Sequence, residues 1–281
     1  MHEILCSTGC LVGRPNGRNH RIITEYAPYI HCDGFEFMIY DTWYDSLDSI
    51  TAELADSGIP FRVVHCDKKI GELISQGDDK QGLALFETNC RTAAALGAKT
   101  LVLHLWNGLI SDSHMDKCVE AYPKLWKIAE DCGETLTVEN VVCNVHSPMS
   151  NLRLLHEEYP QIPFTFDTKM AEFHNELSDA FSDENRWLWD ERHIKHMHIN
   201  DYDGGYMDWS SLKTPQIGEG HIDFTAFFEN LTQFDYTGDY TIEATSFLPS
   251  GEIDLISLNK SLDRVREYVR LSEDKYGSIR E

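Results

Sequence analysis

Six short apolar runs in this chain each deliver, at their carboxyl end, a residue able to ligate a metal or move a proton. They are VVHCD with His65, LVLHLW with His104, LTVEN with Glu139, FTFDT with Asp167, MHIND with His198 and YTIEA with Glu243. A single histidine or acid closing a strand is more often a hydrogen-bonded structural residue than a ligand. Six in succession are hard to explain that way. Three imidazoles and three carboxylates without a thiolate suit Mn²⁺, Co²⁺, Zn²⁺ or Mg²⁺. Carboxylates gathered in a closed site without a cation would raise one another's pKa.

The elements that must position these residues follow from the hydropathy pattern. β-rich apolar runs occur at Ile4 to Ser7, Phe35 to Ile39, Phe61 to His65, Thr100 to Leu105, Thr135 to Asn140, Phe164 to Asp167, Ile194 to Asn200 and Tyr240 to Ala244. Helical stripes lie between them. Ile22, Ile23, Tyr26 and Ile30 share one face; Leu47, Ile50 and Leu54 precede Gly58; Leu83, Phe86 and Cys90 lead to Gly97; Cys118, Val119, Tyr122, Leu125, Trp126 and Ala129 lead to Gly133; and Phe224, Phe227, Phe228 and Leu231 form another stripe. A last helix is expected near Ile253 to Leu271. Eight strand-then-helix units predict an α/β fold, a (β/α)8 TIM barrel forming one domain over 1–281, with an open doubly wound sheet as the alternative. Barrel active sites form at the carboxyl ends of the strands, where the six residues sit.

Composition narrows the partners. Lys plus Arg number 24 against 47 Asp plus Glu, a formal net charge of −23, which repels phosphate backbones and argues against nucleic acid. No apolar run reaches the roughly 18 residues of a membrane span. MHEILCSTGC does not read as a signal peptide, so a cytoplasmic location is expected. The eight cysteines form no CxxC pair and read as reduced, buried thiols. Homo-oligomerisation is compatible with the fold.

Together with IGEGHIDF (Ile217 to Phe224) and YTGDYTIEA (Tyr236 to Ala244), the six strand ends resemble the xylose-isomerase-like TIM barrel superfamily of sugar isomerases, sugar epimerases and apurinic endonucleases. The likeness runs from about His65 to Glu243 and is weakest before Phe35. It implies a divalent metal on Glu139, Asp167, His198 and Glu243, with Glu139 and Glu243 exchanging a proton across the carbon alpha to a sugar carbonyl through an enediolate. His65 and His104 take positions that contact substrate in isomerase-like members and ligate a second metal in the nuclease branch.

The chain departs from the superfamily pattern at instructive places. Met170 stands where nucleases and many epimerases have a histidine after the sixth strand, and Asp208 is followed by Trp209 and Ser210 rather than completing an Asp-x-His pair. Gly204 stands where some ketose epimerases carry an arginine. A metal-dependent sugar isomerase or epimerase is therefore the first expectation. A metal-dependent dehydratase of an inosose-like or keto-sugar substrate is the alternative, ahead of an apurinic endonuclease or an inactive carbohydrate-binding barrel. Lys169 could replace the missing histidine as an anion contact or proton donor. Glu36 in the second strand and Trp106, as a wall for a sugar face, are further substrate-binding candidates. Asn200 and Asp201 are expected to orient His198. Arg14 and Arg18 read as an exposed Gly-rich turn, and His221 has no expected role.

Overall fold

The computed structural model describes residues 2–108 and 111–276, so the expected domain of 1–281 includes positions outside the described residues. In chain order the elements are β1 (Ile4–Ser7), α1 (Arg21–Tyr26), β2 (Gly34–Met38), α2 (Leu47–Asp56), β3 (Phe61–His65), α3 (Lys69–Ser75), α4 (Asp79–Leu96), β4 (Thr100–Leu103) and α5 (Met115–Cys132). They continue with β5 (Thr135–Glu139), α6 (Pro148–Glu158), β6 (Phe164–Asp167), α7 (Thr168–Phe173), α8 (Trp187–Asp190), β7 (Ile194–Ile199), α9 (Phe224–Gln233), β8 (Asp239–Ile242) and α10 (Leu255–Tyr276). The eight strands close in chain order into a (β/α)8 barrel. All eight expected strands are present, to within two residues at each end. Among the described residues no helix is long and apolar enough to cross a membrane.

The first helix differs from expectation. It stops at Tyr26, and Ala27–Tyr29 form a 3-10 turn containing Pro28. Proline lacks the N–H that an α-helical interior requires, so Ile30 leaves the helix in an extended conformation instead of sharing its face.

Two compact units are distinguished along the chain. In Gly34–Phe166, strands β2 to β5 pair in parallel, and β5 pairs onward through Val138↔Phe164 and Glu139↔Thr165. The glycines that end α4 and α5, Gly97 and Gly133, adopt left-handed φ of 76° and 80°, which only a residue without Cβ takes at little strain. Pro123 lies inside α5 and frees the Val119 carbonyl; the Tyr159 hydroxyl donates to that oxygen at 2.9 Å. Gly71 in α3 packs against the backbone after β4, where a Cβ would overlap the His104 carbonyl.

The second unit comprises Met1–Asp33 and Asp167–Glu281. Here β8 pairs with both β7 and β1. The Asp223 side chain caps α9, whose buried Phe224, Phe227, Phe228 and Leu231 are the apolar stripe legible in the sequence. No disulfide joins any of the eight cysteines, all of which are among the described residues; Cys32 and Cys132 are half-buried and the others buried.

Candidate active site

In Gly34–Phe166, three of the expected residues meet. His65 ends β3, His104 follows β4 directly, and Glu139 ends β5 with its side chain 1% exposed. His104 Nε2 lies 2.6 Å from Glu139 Oε2, and His65 Nε2 lies 3.5 Å from the same oxygen. The two rings are 4.8 Å apart and nearly perpendicular. His65 Nδ1 donates to the Cys66 carbonyl at 3.0 Å, so in a neutral ring Nε2 carries the lone pair. That lone pair faces a carboxylate oxygen, an arrangement that calls for a proton or a cation between them. His104 lies against that oxygen without a hydrogen bond to it, and its buried Nδ1 has no hydrogen-bond partner among the described residues. Glu36, wholly buried in β2, offers an oxygen within 4.8 Å of a His65 ring nitrogen.

The unit containing Asp167–Glu281 holds the other three. Asp167 ends β6 and caps α7, its Oδ1 accepting from the Met170 N–H at 2.7 Å. Asn200 Nδ2 donates to Asp167 Oδ2 at 2.5 Å and to Glu243 Oε2 at 3.0 Å, and Asn200 Oδ1 accepts from the Glu243 N–H at 3.2 Å. Thr168 locks this asparagine through its backbone, accepting from the Asn200 N–H and donating to the Asn200 carbonyl. The fully buried His198 presents Nδ1 3.6 Å from Glu243 Oε2 and 4.0 Å from Asp167 Oδ2. Glu243 Oε1 is buried without a hydrogen-bond partner among the described residues. An orphaned carboxylate oxygen beside a second buried carboxylate and an imidazole is the donor chemistry a divalent ion fits.

Residues 28–261 match the family described as xylose isomerase-like TIM barrel. The chain belongs to that family. Among solved structures it is similar to an L-ribulose 3-epimerase at 16% identity and a TM-score of 0.75, over 99% of this chain and 98% of the other. It is similar to a D-allulose 3-epimerase from Methylomonas sp. in complex with D-allulose at 17% identity and a TM-score of 0.68, over 96% and 97%. A zinc-bound IOLI protein matches at 13% identity and a TM-score of 0.70, over 98% and 99%. No curated protein matches the sequence.

Several expectations for this xylose isomerase-like barrel are corrected by the geometry. Asn200 and Asp201 do not orient His198. Asn200 holds the two carboxylates, and Asp201 takes backbone N–H groups from Gly218 and Gly220 at 2.8 and 2.9 Å on Oδ2 and from Tyr202 at 2.8 Å on Oδ1. This explains the glycines of IGEGHIDF: Gly218 has φ 81°, and a Cβ at Gly220 would overlap the Asp201 carboxylate. Trp106 is not a wall open to a sugar, because it is completely buried and its Nε1 donates to the Val141 carbonyl at 2.8 Å. It fastens the segment carrying His104 to the one that follows Glu139.

Gly204 is more than an absent arginine. A Cβ there would overlap the Tyr202 phenol, which donates to the Gly205 carbonyl at 2.7 Å, so the loop after β7 is shaped around a glycine. Burial, with Asp208 and Asp203 nearby, pushes the Tyr202 phenol above its ordinary pKa and keeps it a donor. Asp208 closes its own turn by accepting from Ser210. His221 pairs with Glu172 at 3.1 Å. Lys169 is buried, and its Nζ donates to Thr214 Oγ1 at 2.7 Å.

Proposed function

We propose that this protein is a metal-dependent isomerase or epimerase of a small sugar or sugar derivative, working by proton transfer at the carbon alpha to a carbonyl. The observation that carries the reading is the Asn200 clamp: it holds Asp167 and Glu243 together beside His198 while one oxygen of Glu243 stays without a hydrogen-bond partner among the described residues. Two adjacent carboxylates, Asp167 buried and Glu243 half-buried, repel unless a cation joins them. A divalent ion held by Glu139, Asp167, His198 and Glu243, one imidazole and three carboxylates, would supply Lewis-acid polarisation of the substrate carbonyl. The similarity to two sugar 3-epimerases and to one zinc-bound protein supports the same reading.

In this proposal Glu139 removes the proton and Glu243 returns it. His104 aims Glu139 through Oε2, and its Nδ1 accepts from a substrate hydroxyl or a water. Lys169, with one hydrogen bond to Thr214, has two further N–H groups for substrate oxygens. His65, His104 and Glu139 place their donor atoms within 4.8 Å of one another, the compactness a second ion would need.

The same buried ammonium favours one second reading, a dehydratase. A carboxylate would take the proton alpha to the carbonyl while Lys169 protonates the departing β-hydroxyl, which leaves as water. Incubation of the metal-loaded protein with candidate ketoses in D₂O separates the two. Deuterium alpha to the carbonyl of the isomerised sugar is the expected result, and loss of water with a dicarbonyl product would mark the dehydratase. Sugar binding without exchange under any divalent metal would overturn both.

A further inference from the structure

A second cluster of ligating side chains lies at the opposite end of β5. Cys90 of α4, Cys132 at the end of α5 and Glu134 just before β5 place Sγ, Sγ and a carboxylate oxygen within 4.8 Å of one another. Glu134 and the nearer end of the active-site cluster, Glu139, are separated by five strand residues, roughly 17 Å. The two clusters are therefore distinct.

Local backbone geometry builds this one. After Cys132 the chain turns through Gly133 in the left-handed region, the Gly133 N–H bonds to the Glu130 carbonyl at 2.9 Å, and the Glu134 N–H bonds to the Ala129 carbonyl at 3.0 Å. This reversal turns the side chains on either side of Gly133 toward Cys90. Glu134 is 8% exposed, and neither of its carboxylate oxygens has a hydrogen-bond partner among the described residues. A buried carboxyl without a hydrogen bond at either oxygen costs stability. A disulfide between the thiols would leave both oxygens as they are, whereas a cation satisfies all three groups at once.

We propose that Cys90, Cys132 and Glu134 form a binding site for a thiophilic divalent cation of the Zn²⁺ type, remote from the active site and joining the ends of α4 and α5 to the start of β5. The chemistry fits. A tetrahedral ion bonded at about 2.3 Å to each thiolate and about 2.1 Å to a carboxylate oxygen takes three such donors and a water. Cys132 is half-buried, which leaves a side for the ion and that water to enter. Binding displaces the two thiol protons, so it needs no oxidant and leaves both sulfurs at the thiol oxidation level.

Co²⁺ titration of the reduced, chelator-treated protein tests the proposal, because thiolate-to-cobalt charge transfer in the near ultraviolet reports sulfur ligation. The six candidate residues at the strand ends offer only nitrogen and oxygen, so their occupation cannot imitate the signal. Wild-type protein should develop the band and lose it when Zn²⁺ is added in excess. Glu139→Gln should retain it in full. Cys132→Ser should lose most of it, and Glu134→Gln should weaken Co²⁺ affinity at least tenfold. Zn²⁺ should raise the thermal midpoint of the wild type but not of Cys132→Ser, with matching midpoints of the two in chelator serving as the folding control. Absence of the band in reduced wild-type protein, or a band that survives Cys132→Ser and Glu134→Gln undiminished, would overturn the proposal. So would a Cys90–Cys132 disulfide in untreated protein combined with no cobalt band after its reduction.

Discussion

The imidazole Nε2 of His104 stands 2.6 Å from Oε2 of Glu139, so a histidine that directly follows one strand lies against the acid that ends the next. Replacing it by leucine removes the polar ring that faces a buried carboxylate, and loss of a polar partner from a buried charged group costs about 1–3 kcal/mol or more. His104→Leu should therefore lower kcat for proton exchange by about tenfold or more and lower the thermal midpoint by several degrees. An unchanged rate in the D₂O assay would remove the positioning role.

Asn200 joins Asp167 to Glu243 through one side-chain amide. Partners that orient ligating carboxylates typically affect metal affinity by about 10–100-fold. Asn200→Ala should weaken divalent-ion binding by that order in calorimetric titration while the far-ultraviolet circular dichroism is preserved. Undiminished affinity would separate the clamp from metal binding.

Lys169 differs in being proposed to touch substrate and not metal. Lys169→Met keeps length and apolar bulk while deleting the ammonium. KM should rise about tenfold or more, by the strength of a charged hydrogen bond, with metal content unchanged. If only the melting temperature moves, the lysine is structural.

Glu134 predicts a pH dependence of the metal-free protein. Burial pushes its carboxyl from 4.5 up to about 7, against a partial pull from Lys99. Its neighbours Cys90 and Cys132 are thiols also pushed up by burial, with Glu87 adding to the effect on both. The unfolded chain releases the Glu134 proton near pH 4.5 and the folded chain near 7, so between those values the folded state holds more protons. This contribution is complete below about pH 4.5 and is lost as pH rises through 7. Thermal midpoints in chelator should show that decline, and Glu134→Gln should flatten it.

The barrel and the polar residues at its strand ends were legible because their signals are local. Strands buried on both faces read as short apolar runs, and Glu139, Asp167 and His198 stand out as polar residues at their carboxyl ends. Helix ends were equally plain at Gly97 and Gly133, since the left-handed turn selects glycine from its immediate neighbours.

Other features depended on which distant groups the fold brings together. Nothing adjacent to Trp106 announces that its indole is tied to the Val141 carbonyl instead of facing a ligand. Asn200 looked like a support for His198, its near neighbour in the chain, yet its amide reaches Asp167 and Glu243 because Thr168 fixes its backbone. Cys90 and Glu134 are far apart in the chain and share no ligand spacing, and they meet only because of how α4, α5 and the entry to β5 pack. Sequence alone determined the periodicity, the strand ends and thereby the rim on which chemistry could occur. Tertiary structure decided the partners of each polar group, because a hydrogen bond or a coordination site depends on separation in space and the chain specifies that separation only through the packing of the whole fold.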